Sequence, residues 1–133
     1  MAQEVDTITR RVGSRRRLSV PAAWSAALLA YCIAIYGGLI EGLAAVWLTD
    51  LAWTAAALLA AHASWRASQA VTGALRTAWR LLAAACASWL LGQLIWDWNE
   101  LIRGVSSPFP SISDYFYIGY SVLVVAAIFA MRG

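Results

Sequence analysis

The sequence predicts an all-α integral membrane protein with four transmembrane helices, about 20–40, 45–65, 78–98 and 115–131, and both termini cytoplasmic. Three observations carry this prediction. Apolar residues make up 62% of the 133-residue chain and charged residues 13%, against roughly 45–50% and 25% in soluble domains. A globule this small has too little polar surface in such a composition to face water. The apolar residues also fall into runs long enough to cross a hydrocarbon core about 30 Å thick at about 1.5 Å per residue. Finally, the basic residues are all Arg and concentrate in every second segment between those runs.

Residues 1–19 form a basic leader carrying Arg10, Arg11, Arg15, Arg16 and Arg17. It has no apolar periodicity and is expected to be disordered or to lie along a surface. An Arg-rich end beside an apolar run serves as a topology signal, so nucleic acid is not an expected partner. Ser14-Arg15-Arg16-Arg17-Leu18 has some likeness to a twin-arginine export signal. The apolar run behind it, however, exceeds the roughly 7–15 residues of a signal h-region and has no clear cleavage site. A retained first helix is expected.

Residues 20–40 contain no charge. Pro21 suits the first helical turn, where its missing N–H costs nothing. Gly37-Gly38 lies late in the run, and Glu41-Gly42 ends it. The second run, 43–65, is interrupted by Asp50, and an ionised Asp near the bilayer centre would cost about 3 kcal/mol or more. The sequence therefore places Asp50 at the outer interface and the firm part of that helix at 51–65, with Trp47 and Trp53 in an outer aromatic belt. His62, the only His, reads as a packed or interfacial residue. Residues 66–77 read as a polar connector.

The third run, 78–98, starts with Arg80 snorkelling toward the headgroups and is rich in small residues, which favours close helix packing in lipid. The fourth, 115–131, is opened by Asp114 as an expected N-cap and closed by Arg132. Cys32 and Cys86 lie within apolar runs, without metal-ligand spacing, and read as small buried apolar residues. No metal or cofactor is expected.

Charge placement gives the orientation. The leader, the 66–80 region and the C-terminus hold nine Arg, whereas the two opposite loops hold only Arg103. Glu41, Asp50, Asp97, Glu100 and Asp114 fall on the Arg-poor side. The positive-inside rule then puts both termini in the cytoplasm of a multi-pass inner (cytoplasmic) membrane protein.

Residues 92–120 stand out on that outer side, with acids, prolines and aromatics concentrated in one stretch. Gln93, Asp97 and Glu100 are spaced i, i+4, i+7 and share one helix face, flanked by Trp96 and Asn99. Such a face is suited to bind a cation, take up a proton or pair with Arg103, although a helix leaving the membrane also becomes polar for no other reason. Gly104 is placed to end the helix in a left-handed conformation. Pro108 and Pro110 fix φ and bias Ser107 and Phe109 toward extended conformations, Ser111 continues the turn, and Ser111 or Ser113 competes with Asp114 for the cap. With Trp96 and Tyr117 as walls, Gln93, Asp97, Glu100, Phe109 and Asp114 form the candidate ligand cluster. An aromatic cup of this kind suits a small cation or an amphipathic molecule. No Ser/His/Asp set, phosphate-cradling Gly loop or HExxH is present, so no catalytic residues and no enzyme are expected within these residues.

Trp79-Arg80-Leu81-Leu82, then Gly92-Gln93-Leu94-Ile95-Trp96, Glu100, Gly104, Pro108-Phe109-Pro110-Ser111, Asp114, Tyr117 and Tyr120 resemble a known pattern. It belongs to the N-terminal multi-spanning membrane region of bacterial GGDEF and EAL signalling proteins (diguanylate cyclases and phosphodiesterases) and of some sensor histidine kinases. The resemblance covers about 50–120. Asn99 stands where that region often has an aromatic residue, and Ser121 where it often has Pro. The resemblance implies a membrane sensory or input module. It also implies further helices and a cytoplasmic output domain, so the expectation is a fragment of a larger sensor region or a short member acting through a partner. The alternatives are a small structural or assembly subunit of a membrane complex, or a minimal dimeric transporter. Expected partners are the lipid bilayer and either a second copy or other membrane helices.

Overall fold

Helix boundaries in this chain are set by a few glycine and serine residues. The computed structural model describes residues 22–132, and the basic leader and the first residues of the first expected span lie outside them. Four helices follow in order. They are α1 (Ala22–Tyr36), α2 (Gly42–Gln69), α3 (Gly73–Asp97, continued by one π turn over Trp98–Ile102) and α4 (Ile112–Ala130). No strand occurs among the described residues. Three helical segments, Gly42–Gln69, Gly73–Ile102 and Ile112–Ala130, are long and apolar enough to cross a membrane, whereas the described part of α1 is shorter. This is the architecture of a helical membrane protein.

The chain divides into two units, Met1–Ala45 and Val46–Gly133. In the first, α1 stops at Tyr36 and not at Ile40. Gly38 takes φ +69°, and its N–H and that of Leu39 donate back to Ile35 and Ala34 carbonyls at 3.3 and 3.1 Å. That pair of bonds is the glycine-terminated Schellman closure.

In the second unit, three expected boundaries move. The helix containing Asp50 does not begin at Leu51 or at 45: it starts at Gly42 and runs to Gln69. Asp50 is tolerated because its side chain turns into the bundle, where only 7% of the residue remains exposed. The polar connector at 66–77 contracts to residues 70–72. Arg66 and Gln69 are good helix formers, Arg66 complements the helix C-terminus, and Arg76 Nε donates across the short turn to the Val71 carbonyl at 2.8 Å. At the start of α4, Ser111 is the N-cap and Asp114 sits three residues in. The Asp114 carboxylate accepts the Ser111 backbone N–H at 2.6 Å, and the serine side chain returns the bond, completing a capping box. Asp114 is therefore not the cap itself, and the helix gains its first turn.

The end of α3 widens before it stops. Arg103 N–H donates to Trp98 O at 3.1 Å, Val105 N–H to Asn99 O at 3.0 Å, and Gly104 closes the turn at φ +65°. The loop to α4 contains a cis Phe109–Pro110 bond.

Packing within this unit follows a seven-residue rhythm of small or polar side chains. The buried positions include Asp50, Ala57 and Ser64 in α2, Ala78, Ala85, Gly92 and Asn99 along α3, and Ser113 and Ala127 in α4, with Tyr120 half-buried between them. A seven-residue repeat is the spacing that keeps one seam facing a neighbour in left-handed helix packing, and small residues let backbones approach closely. The closest pair is α3 and α4. Ser88 Oγ donates to the Phe116 carbonyl at 2.7 Å, opposite Gly119. Large apolar side chains point outward, with Leu58 56% and Ile118 62% exposed. A soluble protein would bury them, but a lipid-facing surface requires them.

A Cβ placed at Gly92 would lie 2.9 Å from Tyr117 Cε1 and 3.1 Å from the Ser113 carbonyl. Gly92→Val should therefore force α3 and α4 apart and destabilise the bundle by about 1–3 kcal/mol. Thermal unfolding in detergent should show a lowered midpoint for Gly92→Val and an unchanged one for Ala84→Val, on the exposed side of α3.

Candidate functional site

The beginning of α2, the end of α3 and the beginning of α4 meet at one end of the second unit, and the polar side chains gather there. Gln93 and Asp97, one turn apart on α3, are both buried. Asp97 accepts two neutral donors, Thr54 Oγ1 from α2 on Oδ2 at 2.5 Å and Gln93 Nε2 on Oδ1 at 2.9 Å. Gln93 Oε1 in turn accepts from the Tyr117 hydroxyl of α4 at 3.3 Å. Thr54, Asp97, Gln93 and Tyr117 thus form a hydrogen-bonded chain that crosses three helices. Buried polar groups are stable only when paired in this way.

Glu100 lies at the rim, where it accepts the Trp96 indole N–H at 2.5 Å. Arg103 does not pair with these carboxylates. It donates to Asn99 Oδ1 at 3.2 Å, an i to i+4 bond along the π turn.

Aromatic rings form the floor. Trp89 of α3 packs on Trp53 of α2 (centroids 6.2 Å apart), on Tyr117 (5.0 Å) and, edge to face, on Tyr120 (5.0 Å). Trp53 therefore belongs to an interhelical cluster as well as to the outer surface. Above this floor opens a cleft of about 270 Å³ lined by Thr49, Asp50, Trp53, Trp89, Gln93, Trp96 and Tyr117. Asp50 is buried on its wall, and its Oδ2 has no hydrogen-bond partner. A second, mostly apolar cleft of about 220 Å³ lies on the other side of Trp53 and Trp89, walled by Ala57, Ala60 and Cys86. Cys32 and Cys86 are free thiols. Among the described residues no group of three or more His, Cys, Asp or Glu could hold a metal ion.

The residues singled out in the sequence separate into two sets. Gln93, Trp96, Asp97 and Tyr117 come together, with Glu100 tied to them through Trp96. Phe109 does not join them: it is 89% exposed on the turn. Asp114 is committed to the Ser111 cap, and Gly104, Pro108 and Pro110 shape the connection alone. Asp50, Thr54 and Trp89 were not singled out. A signal for the first two exists, since Asp50, Trp53, Thr54 and Ala57 are spaced i, i+3, i+4, i+7 and so share a helix face.

No protein-family model, curated protein or solved structure matches the chain.

Removing the Asp97 carboxylate strands the Thr54 and Gln93 donors. Asp97→Ala should cost about 1–3 kcal/mol, and Thr54→Val, which leaves Asp97 its Gln93 donor, should cost less. The order of thermal midpoints in detergent, wild type above Thr54→Val above Asp97→Ala, tests the chain of bonds.

Proposed function

We propose that this chain is a membrane-embedded sensory or input module of bacterial signal transduction, acting on cyclic-di-GMP turnover or a histidine kinase whose output domain lies outside these residues. The observation that carries the reading is the Thr54–Asp97–Gln93–Tyr117 chain, which ties α2, α3 and α4 together through bonds that can be made or broken. A sensor needs two states that a stimulus distinguishes. Because Gln93 and Asp97 are buried, a bond broken there is costly unless another replaces it. A ligand or membrane change at the cleft would favour one arrangement, and the rigid helices would carry the shift to their far ends. The resemblance of the Gly92 to Tyr120 motif to GGDEF- and EAL-linked membrane regions supports the same reading.

Joined at Gly133 to a diguanylate cyclase domain, the chain should set cyclic-di-GMP output, and Gln93→Leu or Asp97→Asn should change basal output several-fold. Unchanged output from both variants, with the fusion still in the membrane, would sink the sensor reading.

The orientation we propose follows the Arg distribution, with both termini in the cytoplasm of the inner membrane and the cleft toward the outer face. In a background with Cys32→Ala and Cys86→Ala, a membrane-impermeant maleimide should label Ser106→Cys in intact spheroplasts. Gln69→Cys should react only after permeabilisation. The opposite labelling pattern would invert the orientation.

A further inference from the structure

We infer that the Asp50 cleft binds a small organic ammonium ion. This deepens the sensor reading and rests on it for its consequence, though not for the binding itself. Four carboxylates occupy this end of the bundle, and three are already served by neutral donors, Asp97 by Thr54 and Gln93, Glu100 by the Trp96 indole, and Asp114 by the Ser111 backbone N–H. Asp50 is different. It is buried to 7% exposure on the cleft wall, and its Oδ2 is unpartnered. A buried carboxylate oxygen without a donor is costly and calls for a counter-charge.

The described basic side chains do not supply one. Arg103 engages Asn99, and Arg76 engages the Val71 carbonyl at the far end of the bundle. Arg66 lies four turns further along α2 from Asp50, and Arg80 near the start of α3, both exposed. Arg132 lies over the Phe129 ring just past the end of α4. His62 is exposed, twelve residues further along α2 and about 18 Å away by helical rise.

The cleft itself selects the kind of cation. Trp53, Trp89, Trp96 and Tyr117 line the cleft together with Asp50, and indole and phenol faces attract ammonium groups, most strongly when water is excluded. A hard metal ion would need several oxygen ligands, whereas this wall offers one free carboxylate among rings. The volume of about 270 Å³ is below the usual range for drug-sized ligands, roughly 300–1,000 Å³. It suits a headgroup of a few heavy atoms, such as an alkylated ammonium.

The test uses the full chain in detergent or nanodiscs, with tryptophan fluorescence and calorimetry as readouts. Choline and tetramethylammonium are the probes, and 3,3-dimethyl-1-butanol (the neutral isostere of choline) and sodium chloride at matched ionic strength are the controls. The expected result is saturable binding of both ammonium probes and none of the neutral isostere. Asp50→Asn should weaken binding at least about tenfold, and Trp53→Leu by several-fold. Unchanged helical circular dichroism keeps either variant interpretable, and Trp53→Leu carries the test if Asp50→Asn does not fold. Equal binding of the neutral isostere overturns the inference, as does unchanged affinity in Asp50→Asn or a signal that follows only sodium or pH. Because binding is read without an output domain, its failure is separable from failure of the sensor reading. Output that still responds to Gln93→Leu while ammonium does not bind removes the ligand and keeps the sensor. Binding with output insensitive to Gln93→Leu does the reverse.

Discussion

The close approach of α3 and α4 is the constraint on which the rest of this structure depends. Lipid offers no hydrophobic drive to bring two helices together, since its tails are as apolar as leucine; association rests on van der Waals fit and on polar contacts between helices. Gly92 permits that fit because the Tyr117 ring and the Ser113 carbonyl already occupy the space a side chain would need. Once the helices are that close, the Tyr117 hydroxyl reaches Gln93, Ser88 reaches the Phe116 carbonyl, and Trp89 settles between Tyr117 and Tyr120. Each of these contacts is weak alone, and each needs the same backbone separation.

The polar chain then does for α2 what small residues do for α4. The Thr54 bond to Asp97 and the Trp53 contact with Trp89 tether α2 at this end of the bundle, and Ala57 and Ser64 are buried further along the same helix. Hydrogen bonds between helices in lipid contribute on the order of 0.6 kcal/mol on average. They specify register and orientation more than they add stability. Asp97 is well suited to the task, because a carboxylate can accept from two helices at once.

Much of this was legible in the sequence, and the omissions have definite causes. Composition and run length gave the class of protein, and three of the four expected spans are long apolar helices among the described residues, while the i, i+4 spacing gave the Gln93–Asp97 face. Two helix ends were misplaced because the local rule used was incomplete. Asp114 was a reasonable cap candidate, but a serine three residues earlier makes it the second half of a capping box. At 66–77, polarity marks the end of an apolar run and not of the helix, because Arg and Gln prolong helices as readily as they end membrane spans. Asp50 was misjudged for a deeper reason. The cost of a charge in hydrocarbon applies to a side chain that faces lipid, and only the packing of α3 against α2 creates an interior for it to face. Trp89 carried no local mark of its role at all. Its meaning is tertiary, since it lies where three helices supply rings.

The helices of the second unit differ in length, and this bears on how the protein meets its membrane. At about 1.5 Å per residue, the 19 residues of α4 reach about 28 Å, close to one hydrocarbon thickness. The 28 residues of α2 and the 30 of α3 with its π turn reach about 42 and 45 Å. They therefore lean away from the bilayer normal or extend into the headgroups, while α4 has no such margin. Hydrophobic mismatch is thus borne by the shortest helix, the one that carries Tyr117. A thicker bilayer would pull first on the element joined to Gln93, which makes membrane thickness itself a variable coupled to the polar chain.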